Sequence, residues 1–203
     1  MTRSSFLPLH EILILSIHIL GNLWYTIEKN KKEGFSMHTF QPYPADMLEV
    51  NPFTKIGKEW MLITAGTKDK ANTMTASWGG LGVLWGKNVA YIFVRDSRYT
   101  KEFIDANDTF SLTFFEGQMS ALKYLGTVSG RDEDKIAGAR FNVNYSDDTP
   151  FIDEGNLVLI CKKLSATRMT ADQFLAPKLA DAFYKDGDMH TMYVGEITQI
   201  LAR

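Results

Sequence analysis

The strongest apolar run in the chain is Val89-Ala90-Tyr91-Ile92-Phe93-Val94, β-branched and aromatic, and it predicts a buried strand. Upstream, Met74-Thr75-Ala76-Ser77-Trp78 alternates loosely between large and small-polar residues, as a half-buried strand does. Between these two strands Gly79, Gly80 and Gly82 leave backbone open for close approach or a bulge, and Lys87-Asn88 reads as the turn. The apolar run ends abruptly in Arg95-Asp96-Ser97-Arg98-Tyr99-Thr100. Two guanidiniums and two hydroxyls so close together suit a phosphate, because Arg forks bind its oxygens and hydroxyls add donors. The competing reading is a solvated loop whose arginines pair with nearby acids. The hydroxyl-rich strand upstream shifts the balance towards the phosphate.

The same patterns run through the remainder of the chain. Residues 41–60, with Pro42, Pro44 and Pro52, predict irregular structure with a short strand near its end. Trp60 to Gly66 predicts a strand closed by glycine, and Lys68-Asp69-Lys70 a polar loop. Lys101 to Ala106 predicts a helix stopped by Asn107-Asp108, Phe110 to Phe115 an alternating strand, and Gln118 to Leu125 a helix with Met119, Leu122 and Leu125 on one face. Gly126 to Lys135 is a polar loop leading into a helix that runs to Ala139, and Asn144 to Glu154 is acidic and turn-rich. Leu157 to Lys162 predicts a strand, Ala171 to Tyr184 a helix broken at Ala176-Pro177, Asp186-Gly187 a turn, and Met192 to Leu201 the closing strand. Strands outnumber helices and do not alternate with long ones, which disfavours a doubly wound parallel sheet. A mainly β fold, an antiparallel barrel with helical decorations, fits better.

Composition narrows the function classes. A chain of 203 residues with 45% hydrophobic and 23% charged residues is of ordinary globular make-up and long enough for one domain with a core. A net charge of −2 offers no electrostatic case for nucleic acid. The single cysteine, Cys161, sits in the apolar run Leu157-Val158-Leu159-Ile160, which predicts a buried inert thiol and a reducing, cytoplasmic setting. With 4 histidines scattered along the chain, no metal site is predicted.

Residues 1–36 differ from the rest. Phe6 to Ile27 is rich in Leu and Ile, with Arg3 before it and Lys29, Lys31 and Lys32 after it. A spanning helix needs about 20 predominantly apolar residues, and this run is interrupted by Pro8, His10, Glu11, Ser16, His18, Gly21 and Asn22. A weak anchor, an added amphipathic helix and an extension upstream of the true start are the three readings. The extension is favoured, with the anchor as runner-up and a membrane role disfavoured, and the folded domain is expected over residues 37–203.

Standard catalytic signatures are absent or broken. Gly80-Leu81-Gly82-Val83-Leu84-Trp85 places Trp where a dinucleotide fingerprint needs its third glycine, and no GxxxxGK[ST] loop occurs. Thr75-Ala76-Ser77-Trp78-Gly79 is one residue short of a nucleophile elbow, so a hydrolase pairing Ser77 with His190 ranks low.

The stretch from Asn72 to Trp78, then Val94 to Thr100, then Ser129-Gly130-Arg131-Asp132 with Asp134-Lys135, and finally His190 to Ile197, together resemble the flavin reductase family of FMN-binding split barrels, the flavoredoxin-like group. The resemblance covers residues 41–201 and leaves 1–36 outside. It implies a Greek-key split barrel, a homodimer, and FMN near the subunit interface. It further implies that Met74, Thr75, Ala76, Ser77 and Trp78 lie along the isoalloxazine and that Arg95, Ser97, Arg98 and Thr100 hold the ribityl phosphate. Ser129, Gly130, Arg131 and Lys135 would form a second wall facing the partner subunit or the nicotinamide, and His190 would reach the flavin edge. Each has a plainer alternative: Trp78 as core, Arg131 paired with Asp132 or Asp134, His190 as a loop residue. The activity implied is hydride transfer from NADH or NADPH to FMN, with no catalytic side chain required. The alternative is an FMN electron carrier fed by a protein partner.

Overall fold

The structure, a computed structural model, describes residues 37–203. The three readings of residues 1–36 lie outside those residues. β2 (Met61–Gly66), β3 (Ala71–Ala76), β4 (Gly79–Leu84), β5 (Lys87–Arg95), β6 (Thr109–Phe114), β9 (Leu157–Arg168) and β10 (His190–Ala202) form one antiparallel sheet in the order β3-β2-β6-β9-β10-β5-β4. β1 (Gln41–Pro42) adds to the free stretch of β10. β3 and β4 stand at opposite ends of this order, yet only Ser77 and Trp78 separate them in the chain. The three residue steps from Ala76 to Gly79 span at most about 10 Å, so the sheet has to curl until its ends nearly meet. The ends meet without pairing, which leaves a barrel with an open seam.

Period-two alternation fills the inside. Met61, Ile63 and Ala65 from β2, Ala90, Ile92 and Val94 from β5, Phe110, Leu112 and Phe114 from β6, and Leu159 and Cys161 from β9 form one buried cluster. β2 is buried on both faces because its other side, at Leu62, lies under α3 (Met119–Thr127) and α4 (Lys135–Gly138), with Leu122, Leu125 and Ile136 over it. The other helices are α1 (Pro52–Lys55), α2 (Tyr99–Ala106) and α5 (Pro177–Phe183). Cys161 is fully buried, and burial pushes its thiol far above the ordinary range. Among the described residues no helix is long and apolar enough to cross a membrane, and no group of His, Cys, Asp and Glu is placed to hold a metal.

Three local expectations are corrected. The glycine run, expected to leave backbone open for close approach or a bulge, is a regular strand, β4, paired with β5 along one edge. The hairpin turn is Trp85-Gly86, with φ of 54° and 70°, and Lys87-Asn88 already belong to β5. A turn with both central residues at positive φ matches the twist of the flanking strands, and Gly86 makes it possible while Trp85 accepts the strain. The acidic stretch after Phe141 is a hairpin of β7 (Val143–Ser146) and β8 (Thr149–Ile152), anchored where Ser111 donates to the Pro150 carbonyl at 2.6 Å.

Candidate functional site

The register of β5 against β10 sets His190 opposite Arg95. The chain then turns through Ser97 into α2, whose Ncap position is Arg98 with no side-chain cap. The amides of Tyr99 and Thr100 therefore open the helix with no capping side chain over them, and a helix N-terminus favours negative charge. Across from it, β3 is an edge strand that pairs with β2 alone, so its outer N–H and C=O groups are outside the ladder.

Two adjoining cavities follow from this arrangement. One, of about 260 Å³, is lined by Arg95, Ser97, Arg98, Thr100, Ser129, Gly130 and Lys135, with Asn72, Tyr99, Thr127, Val128, Asp186 and Asp188. The other, of about 170 Å³, is lined by Thr75, Ala76, Ser77, Trp78, Phe93 and His190. Met74, Arg95 and Arg98 line both, so the two make one cleft with a cationic end and an aromatic end.

Individual side chains divide their duties. Arg98 donates from Nη1 to the Gly126 carbonyl at 2.8 Å, which leaves the other side of its fork for the cleft. Thr100, almost fully buried, accepts from Asn72 Nδ2 at 2.9 Å and keeps its own hydroxyl hydrogen free. Gly130 lets the wall lie flush: a Cβ there would come within 2.2 Å of Asn72 Oδ1. Lys135 is buried and donates to the carbonyls of Leu125 and Val128 at 2.9 and 3.0 Å, closing the C-terminal turn of α3. Burial, with the Arg98 charge behind it, pushes Lys135 down to about 8. His190 is held below the ordinary histidine range by burial and then by Arg95, so it is neutral at pH 7. Its Nδ1 shares a 2.8 Å hydrogen bond with the Tyr184 hydroxyl, so Nε2 is the nitrogen left for a ligand. The rings of His190 and Trp78 are 5.2 Å apart.

Four of the residues singled out in the sequence stand differently from expectation. Ser97 gives its N–H and its hydroxyl to the Asp188 carboxylate, at 3.0 and 2.7 Å. Arg95 spends its donors on the carbonyls of Asp188 and Phe183, at 2.8 and 2.9 Å, and lies over the Tyr184 ring. It braces the segment before β10 and reaches a ligand through its field. Thr75 donates its hydroxyl to the Leu122 carbonyl at 2.5 Å, so only its backbone is available. Arg131 does not line the two cavities above: it is exposed, pairs with Glu102 at 2.5 Å, stacks 4.7 Å over Tyr99 and lines a third pocket of about 580 Å³, which adjoins the cationic cavity through Asn72, Tyr99, Gly130 and Lys135. Neither Asp132 nor Asp134 is its partner. Sequence reasoning missed Asn72, Phe93, Asp186 and Asp188. Asn72 stood at the head of the quoted motif, but the two acids reach the cleft only by a contact across 91 residues.

A family model, that of the flavin reductase like domain, matches residues 53–203. The chain belongs to this family. Its fold is the family's FMN-binding split barrel. Flavoredoxin from Methanosarcina acetivorans is 26% identical, with a TM-score of 0.56 over 78% of this chain and 76% of that one. The FMN-binding domain of a flavin reductases-like enzyme from Shewanella baltica, 15% identical, shares the fold at a TM-score of 0.58 over 83% and 79% of the two chains. Nitrilotriacetate monooxygenase component B from Bacillus cereus, 13% identical, shares it at 0.55 over 80% and 81%. No curated protein matches the chain. The donor set fits FMN: cations, hydroxyls and an uncapped helix start at one end, aromatic rings and an unpaired strand edge at the other.

Proposed function

We propose that this flavin reductase family member is an oxidoreductase that takes hydride from NADH or NADPH onto FMN held in the cleft between β3 and α2. The observation that carries the proposal is the continuity of the two cavities through Met74, Arg95 and Arg98. Their cationic and aromatic ends suit a molecule with an anion at one end and a flat ring at the other. Arg98, Thr100, Ser97, Ser129 and Lys135 would hold the phosphate, with Gly130 keeping the wall clear. Met74 to Trp78 would run along the ring and offer backbone groups to its polar edge, while His190 meets it through Nε2. Bound FMN would supply hydride acceptance and donation, so no protein nucleophile is needed. Ser77 and His190 lie in the same pocket, but among the described residues no hydrogen bond joins the Ser77 hydroxyl to His190, so the nucleophile–base contact of a hydrolytic pair is not made. Arg95 and Arg98 favour negative charge in the cleft.

The homodimer belongs to the same proposal. Val83 and Trp85 on the β4–β5 hairpin are 71% and 62% exposed and offer apolar surface to a second copy. A second reading, an FMN electron carrier fed by a protein, draws on the flavoredoxin likeness. Anaerobic mixing separates the two. Rapid bleaching of bound flavin by NADH or NADPH is expected; bleaching by dithionite alone would replace the reductase with the carrier.

Lys135 gives this reading a pH signature. The phosphate of FMN loses its second proton near about pH 6, so it is mostly doubly charged at pH 7 and changes little between pH 7 and 9. Lys135 at about 8 does. A lysine that is charged below this value and meets a phosphate supports binding fully at pH 7 and loses its contribution as pH rises above 8. FMN affinity is therefore expected to fall by about tenfold between pH 7 and 9, the scale of one charge-assisted hydrogen bond. Lys135→Gln should bind more weakly at pH 7 and show a flat profile. An equally steep profile in Lys135→Gln would remove Lys135 from the phosphate end.

A further inference from the structure

The segment between α5 and β10, residues 184–189, carries an acid into the cationic end of the cleft. The Ser97 N–H donates to Asp188 Oδ1 at 3.0 Å and the Ser97 hydroxyl to Oδ2 at 2.7 Å. One N–H and one O–H thus catch both oxygens of a carboxylate, the same donors and spacing that would catch two oxygens of a phosphate. Arg95 stands behind it, with Nη1 3.7 Å from Oδ2 and 2.8 Å from the Asp188 carbonyl. Asp186 is 3.9 Å from the same nitrogen. The cavity that gathers Arg98, Thr100, Ser129 and Lys135 therefore also contains two carboxylates.

The same segment touches the aromatic end. Phe183, where α5 ends, meets Trp78 edge to face at 5.3 Å, and the Tyr184 hydroxyl bonds His190. Asp188, through Ser97, ties this strap down at the phosphate end, and Phe183 and Tyr184 tie it down at the ring end.

We propose that Asp188 is an internal competitor for the phosphate of FMN and thereby sets the protein's discrimination between phosphorylated and unphosphorylated flavin. The inference rests on the reading of the cleft as the FMN site. A phosphate carries two charges and three free oxygens against the single charge of Asp188, and it alone can also engage Arg98 and the start of α2. It can displace the carboxylate from Ser97. Riboflavin has no anion with which to do so and binds with Asp188 in place. The charge of Asp188 thus lowers FMN affinity and leaves riboflavin affinity alone.

The test is titration of the full chain with FMN and with riboflavin, in wild type, Asp188→Asn and Asp188→Glu, with thermal melting as the control for folding. Asp188→Asn keeps the shape and removes the charge. It is expected to bind FMN about tenfold more tightly, the scale of one charge-assisted interaction, with riboflavin changed by less than about twofold. Asp188→Glu keeps the charge and should not tighten FMN. Asp188→Ser, a smaller neutral residue, gives the same reading if the amide disturbs the strap. Wild-type FMN binding with no tightening in either neutral variant would overturn the inference and make Asp188 a structural tie of the strap. Equal tightening of riboflavin would overturn it too. Failure of the wild type to bind FMN would be a different result, against the site itself.

Discussion

Arg98→Ala is expected to weaken FMN binding about a hundredfold while the protein stays folded. Among the described residues Arg98 is the guanidinium lining the cleft with one terminal nitrogen of its fork free, since Arg95 gives both of its terminal nitrogens to the carbonyls of Phe183 and Asp188. Hydrogen bonds to a charged group contribute roughly 1.5–3 kcal/mol, so losing one costs about one to two powers of ten, and a partly shared bidentate contact falls at the upper end of that range. The folding cost is smaller. The side chain is half-buried and makes one bond to the fold, to the Gly126 carbonyl, whose loss costs about 1 kcal/mol. Arg98→Lys keeps the charge but loses the fork, and should fall between the two. Fluorescence titration beside a melting curve reads both quantities. An Arg98→Ala protein that binds FMN as the wild type does would move the phosphate elsewhere.

The second large effect lies in the barrel. Phe110 is fully buried on β6, and its ring edge fills the space over Gly195 of β10, where a Cβ would come within 2.6 Å of Cζ and 3.0 Å of the Cys161 Cβ. Phe110→Ala leaves a cavity in a strand-lined core and is expected to cost about 4 kcal/mol. That is a large part of the roughly 5–15 kcal/mol that holds a domain folded. Gly195→Val overpacks the same spot and should cost about 2 kcal/mol. Because each change addresses the space of the other, the double variant should be more stable than the sum of the singles implies, by about 1–3 kcal/mol. Urea unfolding measures all three. Strict additivity would mean that the ring does not hold Gly195 in place. The consequence reaches the site, since β10 begins at His190 and its partner β5 ends at Arg95.

The elements that were legible in the sequence are those whose signal is local. β5 announced itself by a β-branched and aromatic run, α2 by its Asn107 stop, and β10 by a long apolar alternation. β4 was not legible, because three glycines in six residues carry no strand propensity and its only support is a neighbour, β5. The turn at Trp85-Gly86 hid behind a tryptophan that tolerates positive φ only because the hairpin demands it. β7 and β8 are short, and the acids between and after them, Asp147, Asp148, Asp153 and Glu154, resemble a loop until Ser111 and Thr113 of β6 receive β8. Within the site, the residues on β3 and from Arg95 to Thr100 were readable because they are consecutive in the chain. The commitment of Thr75 to Leu122, of Arg131 to Glu102 and of Ser97 to Asp188 were not readable, because each partner comes from a distant part of the chain and is set by how the sheet curls.

The central claim is that the cleft between β3 and α2 is the FMN site, and the most direct measurement is a titration of the purified chain with FMN, following flavin absorption and tryptophan emission together. Trp78 lines the ring end of the cleft, so bound FMN should quench its emission and shift the flavin bands, saturating at one flavin per chain. The quenching should weaken in Trp78→Phe, while binding itself survives. Unchanged flavin bands and full tryptophan emission at saturating FMN would contradict the account.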